Sequence, residues 1–383
     1  MSNNVQFTLG WKDKGKRWGH PMHSMCSYLA MFPASIPSYY INLLTKPGDI
    51  VFDPFGGRGT TPLEALILGR KGIGNDLNPL ATLLISAKMS HPDIQQLLNR
   101  IEQLRQQYLS LQTLIDFSKE PDKIQMLFHD NVIRQLIFLK QNLDLTNDVD
   151  NFIMATLSGI IHGASSLYLS VSMPKTFSMS ANYVKGYIIK KQLPKPDRNT
   201  FDNLKAKIEM MYAEGVPTLT GKHYVSDVRN LSQVVIEHPN LLVTSPPYMK
   251  VVQYGYYNWI RLWLLNLEAD DVDDKLDDRL NYKKYVNFIR ETLRECYAVM
   301  AHQSYSVFII GDVQVKNKPL IRLAEDVWKE LSNDPSHGYK LDTILEDIVP
   351  ADRKVSKIFG SKEMGTPKGN ATATDRHLIL WKD

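Results

Sequence analysis

The chain has 383 residues, is 43% hydrophobic and 22% charged, and carries a formal net charge of +4, a composition that excludes a disordered or membrane-embedded chain and suits one large domain or two modest ones. The small positive excess permits a polyanionic partner without requiring one. Two cysteines, Cys26 and Cys296, exclude a disulfide framework; with no apolar run able to span a bilayer and no secretory signal, a cytoplasmic enzyme without membrane contact is expected.

In chain order, residues 1–87 read as the first part of a sheet domain. Ile50-Val51-Phe52 follows the turn signal Lys46-Pro47-Gly48-Asp49 and reads as a strand. Thr61 to Leu68 reads as a helix with Pro62 in its first turn, and Lys71 to Asp76 as a second strand. Strand, turn, helix and strand make a right-handed βαβ unit. Residues 88–221 read as a largely helical insertion, with Ile94, Leu97, Leu98, Ile101, Leu104 and Tyr108 at helical spacing. Within it, Ser165 to Arg198 is polar, aromatic and basic. Residues 222–383 return to strands at Leu241–Val243, Ser306–Ile310 and His377–Trp381, with helical patterns over Tyr285–Met300 and Leu320–Leu331. The alternation predicts an α/β fold with a doubly wound, mostly parallel sheet.

Asp53-Pro54-Phe55-Gly56-Gly57-Arg58-Gly59-Thr60-Thr61 lies between the first strand and its helix. Glycine there allows a tight turn and a close approach of the backbone to a ligand. Asp76 follows at the end of the next strand, where an acid accepts hydrogen bonds from ribose hydroxyls. No Gly-Lys-Ser/Thr follows the loop, which argues against a nucleoside triphosphate. An adenosine-containing cofactor is expected; a nicotinamide dinucleotide satisfies this motif equally.

The run Leu241-Leu242-Val243 enters Thr244-Ser245-Pro246-Pro247-Tyr248. Paired prolines end the strand, and ligands of open α/β sheets bind just past strand carboxyl ends. An exocyclic base amine has a lone pair delocalised into the ring. Ser245 Oγ and the Pro246 carbonyl are acceptors suited to orient its N–H bonds, and Tyr248 is suited to stack on the base.

Together the two motifs resemble those of the amino-methyltransferases that modify DNA, with Phe55-Gly56-Gly57-Arg58-Gly59 as the cofactor loop and Ser245-Pro246-Pro247-Tyr248 as the catalytic loop. The resemblance implies a Rossmann-like methyltransferase fold, S-adenosylmethionine as cofactor, double-stranded DNA with a flipped base as substrate, and no metal. It also implies a place in restriction–modification, with a cognate restriction endonuclease as a partner. Serine in the first catalytic position mostly accompanies N4-cytosine methylation in that family. Phe32 and Pro33 resemble its segment before the glycine loop, Asp76 and Asn78 its ribose-binding acid, and Asp227 and Val228 its adenine-contacting segment. Cofactor residues implied are therefore Phe32, Pro33, Asp53, Pro54, Phe55, Gly56, Gly57, Gly59, Thr60, Thr61, Asp76, Asn78, Asp227 and Val228. Arg58 departs from the small residue common there. The glycine loop precedes the catalytic loop, the reverse of many serine-type members, which places a target-recognition region between them.

In that region Lys175, Lys185, Lys190 and Lys191, interleaved with aromatics, have the makings of a nucleic-acid surface. The acidic run Asp270 to Asp278 lacks the glycine and terminal glutamate of a calcium loop and reads as a solvated face. The rival readings are N6-adenine methylation, an RNA base methyltransferase, a dinucleotide oxidoreductase and a non-catalytic nucleic-acid-binding protein.

Overall fold

The apolar runs read as strands form the centre of a seven-stranded sheet in the computed structural model. The structure describes residues 5–13, 19–29, 32–175, 178–247, 253–276, 281–314, 319–334, 337–348 and 370–383. Strands β1 (Ile50–Asp53), β2 (Lys71–Asn75), β3 (Lys222–Tyr224), β4 (Leu241–Thr244) and β5 (Ser304–Gln314) are parallel. Strands β6 (Lys340–Ile348) and β7 (Asn370–Lys382) complete the order β3-β2-β1-β4-β5-β7-β6, with β7 antiparallel to both neighbours. This is the expected doubly wound, mostly parallel sheet.

Val51, Phe52, Leu241 and Leu242 have no exposed surface, as central parallel strands covered on both faces require. Helices α1 (Ser35–Leu44) and α2 (Thr60–Ile67) cover one face through Ile36, Ile41 and Ala65. The helix α3 (Pro79–Ser90) follows β2. The middle of the chain contributes, besides the single turn Asp122–Gln125, the helices α4 (Ile94–Leu111), α5 (Asp130–Asn142), α6 (Asp148–Ile160), α7 (Ala181–Lys191) and α8 (Thr200–Tyr212). The opposite sheet face is covered by α9 (Tyr282–Val299) and α10 (Leu323–Ser332), through Phe288, Leu293, Leu323 and Val327.

The middle helices have their own core. The periodic residues Leu97, Ile101, Leu104 and Tyr108 of α4 point into it, beside Phe138, Phe152 and Phe201. Met25, Cys26 and Leu29 from the N-terminal segment enter the same core, as do Trp259, Ile260, Trp263 and Leu264. Asp93 starts α4 by accepting from the Gln95 and Gln96 amides. The polar, basic stretch also contains a helix, α7, capped by Ser180 and carrying Lys190 and Lys191 in its last turn, where cations favour the helix dipole. Among the described residues no helix is long and apolar enough to cross a membrane.

Candidate active site

The sheet order reverses between β1 and β4: from β1 the chain moves towards β2 and β3, from β4 towards β5. A crevice opens past the carboxyl ends of strands at such a switch point. Here it encloses about 920 Å³ including its open mouth.

The glycine loop forms its floor. Gly56 N donates to Asn75 O at 2.8 Å and Gly59 N to Gly56 O at 2.7 Å, so the chain turns within four residues. Gly57 and Gly59 have φ of +52° and +75°, the left-handed region that side chains disfavour. Asp76 is tied to the same loop: Oδ2 accepts from Gly57 N at 2.8 Å and Oδ1 from Asn78 N at 2.9 Å. Burial raises the Asp76 carboxyl to about 6, against these amide hydrogen bonds, which lower it. Asn78 caps α3 through Leu80 N and donates to Tyr28 Oη at 2.9 Å.

Asp53 sits beneath the loop, where Thr244 Oγ1 donates to it at 2.6 Å and Phe55 N at 3.1 Å. Burial raises it to about 7. Thr61 Oγ1 donates to Val243 O at 3.1 Å, so both threonines lock the end of β4 against the loop. Among the described residues, no lysine or arginine pairs with Asp53 or Asp76. The Arg58 guanidinium turns back into the protein, donating to His23 O at 3.0 Å and Thr60 Oγ1 at 3.2 Å. That resolves its departure from a small residue: it braces the loop from behind. Lys88, fully buried on α3, donates to Arg58 O.

Ser245 stands at the carboxyl end of β4 and lines the cleft with Pro247. Its hydroxyl donates to Ile309 O on β5 at 3.1 Å. With that hydrogen committed, the Oγ lone pairs are left to accept from a ligand. At another end of the cleft Phe55 and Phe288 lie with ring centroids 5.9 Å apart, next to Val228. Asp227 is held there by Arg229, whose Nε and Nη2 donate at 2.9 and 2.5 Å, and this pairing lowers the Asp227 carboxyl. The Arg229 guanidinium lies 5.6 Å from the Phe288 ring centroid. A further wall is formed by Tyr28 and Leu29, with Tyr254 stacked on Tyr28 at 5.7 Å.

Of the residues singled out from the sequence, Phe32, Pro54, Phe55, Gly56, Gly57, Thr60, Asp76, Asn78, Asp227, Val228, Ser245 and Pro247 line this one cleft. Pro33, Asp53, Gly59, Thr61 and Pro246 do not line it; Asp53, Gly59 and Thr61 shape the loop or its strand from behind. Tyr248 lies outside the described residues. Lys185, Lys190 and Lys191 are exposed on α7 and Lys175 is half-buried before it, all away from the cleft wall. Tyr28, Asn75, Leu77, Ser226, Leu276 and Phe288 line the cleft without having been singled out. Among the described residues no group of three or more His, Cys, Asp or Glu side chains is placed to hold a metal ion.

A profile of the DNA methylase family matches residues 5–85 and 240–360. The Type II methyltransferase M.MvaI of Kocuria varians is 24% identical over 291 residues, which is 71% of this chain and 63% of that protein. The Type II methyltransferase M.PvuII of Proteus hauseri is 36% identical over 91 residues, 22% of this chain and 26% of that protein. The chain thus spans less than two thirds of the length of these curated relatives. Among solved structures, TrmN from Thermus thermophilus gives a TM-score of 0.35 at 10% identity, over 94% of this chain and 52% of its own. The rRNA methyltransferase AviRa from Streptomyces viridochromogenes gives 0.36 at 10% identity, over 98% of this chain and 93% of its own.

Proposed function

The chain belongs to the DNA methylase family, and from that premise we propose that it transfers a methyl group from S-adenosylmethionine to the exocyclic N4 amine of cytosine in double-stranded DNA. The observation that carries the reading is the position of Ser245. It lines one switch-point cleft together with the glycine loop and Asp76, with its hydroxyl hydrogen already given to Ile309 O.

The cleft suits an adenosine cofactor. Asp76 offers a carboxylate to ribose hydroxyls, and Phe55, Phe288 and Val228 offer an apolar slot for adenine beside Asp227. Bound there, S-adenosylmethionine supplies an electrophilic methyl group. The protein's part is orientation and exclusion of water. Ser245 Oγ, which lines the cleft, accepts an N–H of the target amine and aims its lone pair at the methyl. Tyr248 stacks on the extruded base. Lys175, Lys185, Lys190 and Lys191 meet the phosphates of the flanking duplex. Residues 88–221 act as the target-recognition region between a cofactor part, 1–87, and a catalytic part, 222–383.

The test is incubation of the full chain with labelled S-adenosylmethionine and unmethylated genomic DNA, digestion to nucleosides, and mass spectrometry. N4-methylcytosine is the expected product. Ser245→Ala is expected to lower its formation by roughly 10²-fold or more. N6-methyladenine in its place would transfer the same mechanism to adenine, and the absence of any methylated nucleoside with DNA would overturn the reading.

A further inference from the structure

The cleft lies between two hydrophobic cores and takes an aromatic pair from each. Phe55 and Phe288 come from the core under α9, whereas Tyr28 and Tyr254 pack on the core of the middle helices. The phenylalanine pair accompanies Val228 and Asp227, which marks the adenine end. Tyr28, with Tyr254 stacked on it, lies against the glycine loop: a Cβ at Gly57 would stand 3.6 Å from the Tyr28 ring.

This pair is braced on both sides. Asn78 Nδ2 donates to Tyr28 Oη at 2.9 Å. Asn258 Nδ2 donates to Tyr254 O at 2.8 Å, and Asn258 Oδ1 accepts from Arg261 Nη1 at 2.8 Å. Arg261 Nη2 then donates to Ser27 Oγ at 3.2 Å, next to Tyr28 in the chain, which closes the circuit. Arg261 itself is only 1% exposed, so the brace is built into the core. The stacked rings share their cleft with Asp76, with Asp53 beneath the floor, and both acids take their hydrogen bonds from hydroxyls and backbone amides. Electron-rich ring faces beside buried carboxyl groups favour a cation.

We infer that Tyr28 and Tyr254 form an aromatic clamp that reads the positive charge of the methyl donor, favouring a sulfonium ligand over its neutral thioether product. The inference rests on the S-adenosylmethionine reading. It assigns these two tyrosines to cofactor recognition and Arg261 to their positioning. Because the rings act through their faces, Tyr28→Phe and Tyr254→Phe retain the effect and Tyr28→Leu and Tyr254→Leu remove it.

The test is calorimetric titration of the full chain, without DNA, with S-adenosylmethionine and separately with S-adenosylhomocysteine. Each leucine variant is expected to lose about fivefold or more in affinity for the sulfonium ligand, within the range of a desolvated cation–π contact. Affinity for the thioether is expected to stay within about twofold, which also shows that the variant is folded. The phenylalanine variants are expected to match the wild type in the ratio of the two affinities. Parallel losses for both ligands, or an unchanged ratio in the leucine variants, would overturn the clamp while leaving the methyl-donor reading intact. A wild-type chain that binds neither ligand would overturn that reading, and the clamp with it.

Discussion

At the scale of single residues, Asp53 shows how burial tunes a carboxyl group beneath the cleft floor. It lies at the end of β1, 1% exposed, between Thr244 and the Phe55 amide, and is raised from 3.8 to about 7. In the unfolded chain it ionises near its ordinary value, so the stability it contributes is fully present below about pH 4. That contribution is lost as pH rises towards 7. Asp53→Asn removes this dependence while keeping an acceptor for Thr244. Its unfolding free energy relative to the wild type is expected to improve between pH 4 and 7 by on the order of a few kcal/mol, then level off. Denaturant titrations at pH 4, 5.5, 7 and 8.5 check this; a difference that does not change with pH would refute it. His377 has the opposite sign: burial lowers it to about 4, so its contribution is lost as pH falls from its ordinary 6.5 towards 4. Residues of the cleft that are contiguous in sequence were legible there. The glycine loop, Asp76 and Ser245-Pro246-Pro247 owe their positions to local rules for turns and strand ends. Tyr28, Leu276 and Phe288 reach the cleft only through packing of distant elements, and nothing in their neighbourhood marks them. Asp227 was legible as a cleft residue, but its pairing with Arg229 was not, because it depends on a side chain folding back onto its own turn.

At the scale of elements, the legible strands were those buried on both faces. Ile50–Phe52 and Leu241–Val243, within β1 and β4, are continuous apolar runs with little ambiguity. β3, only Lys222–Tyr224, and β6, Lys340–Ile348, lie at the two edges of the sheet with much of their surface exposed, so neither carries an apolar signature. The helix α7 was hidden in the same way: of its eleven residues only Val184 is buried. β7 is fastened to β5 by more than its ladder. Arg376 Nε donates to Asp312 at 2.9 Å, with side chains 6% and 0% exposed, and Nη1 reaches Glu325 and Glu346. Arg376→Met leaves the Asp312 carboxylate buried without its guanidinium. A loss of about 3–5 kcal/mol in unfolding free energy is expected, measured by urea denaturation. A loss under about 1 kcal/mol would show that Asp312 finds other partners.

At the scale of the whole molecule, the net charge of +4 is too small to account for the proposed binding of DNA unless it is localised. α7 presents Lys185, Lys190 and Lys191 to solvent, and the segment leading into it is fixed to the turn that follows Tyr254 by Ser178 N to Tyr257 O at 2.8 Å and Trp259 Nε1 to Met179 O at 2.8 Å. Replacing the three lysines by glutamine is expected to weaken binding to duplexes of any sequence. The slope of log affinity against log salt should become shallower by about 0.9 for each phosphate that a lysine no longer neutralises. Fluorescence anisotropy between about 50 and 200 mM salt measures this; an unchanged slope would mean that other side chains neutralise the phosphates.

The middle helices do not merely rest beside the sheet. Lys207 of α8 donates to Ser24 O at 2.6 Å, and Arg261 ties Ser158 of α6 to Ser27. Gly159 of α6 lies so close to Met25 that a Cβ there would stand 1.7 Å from its carbonyl oxygen. The short segment before the cofactor loop is therefore moulded to this particular set of helices. On the proposed assignment of residues 88–221 to target recognition, exchange of that region between relatives has a boundary that does not follow chain order. A chimera that imports only residues 88–221 inherits a mismatched seat, whereas one that also imports 19–29 carries lock and key together. In the ancestry of such proteins, those two separated stretches should travel as a single heritable unit.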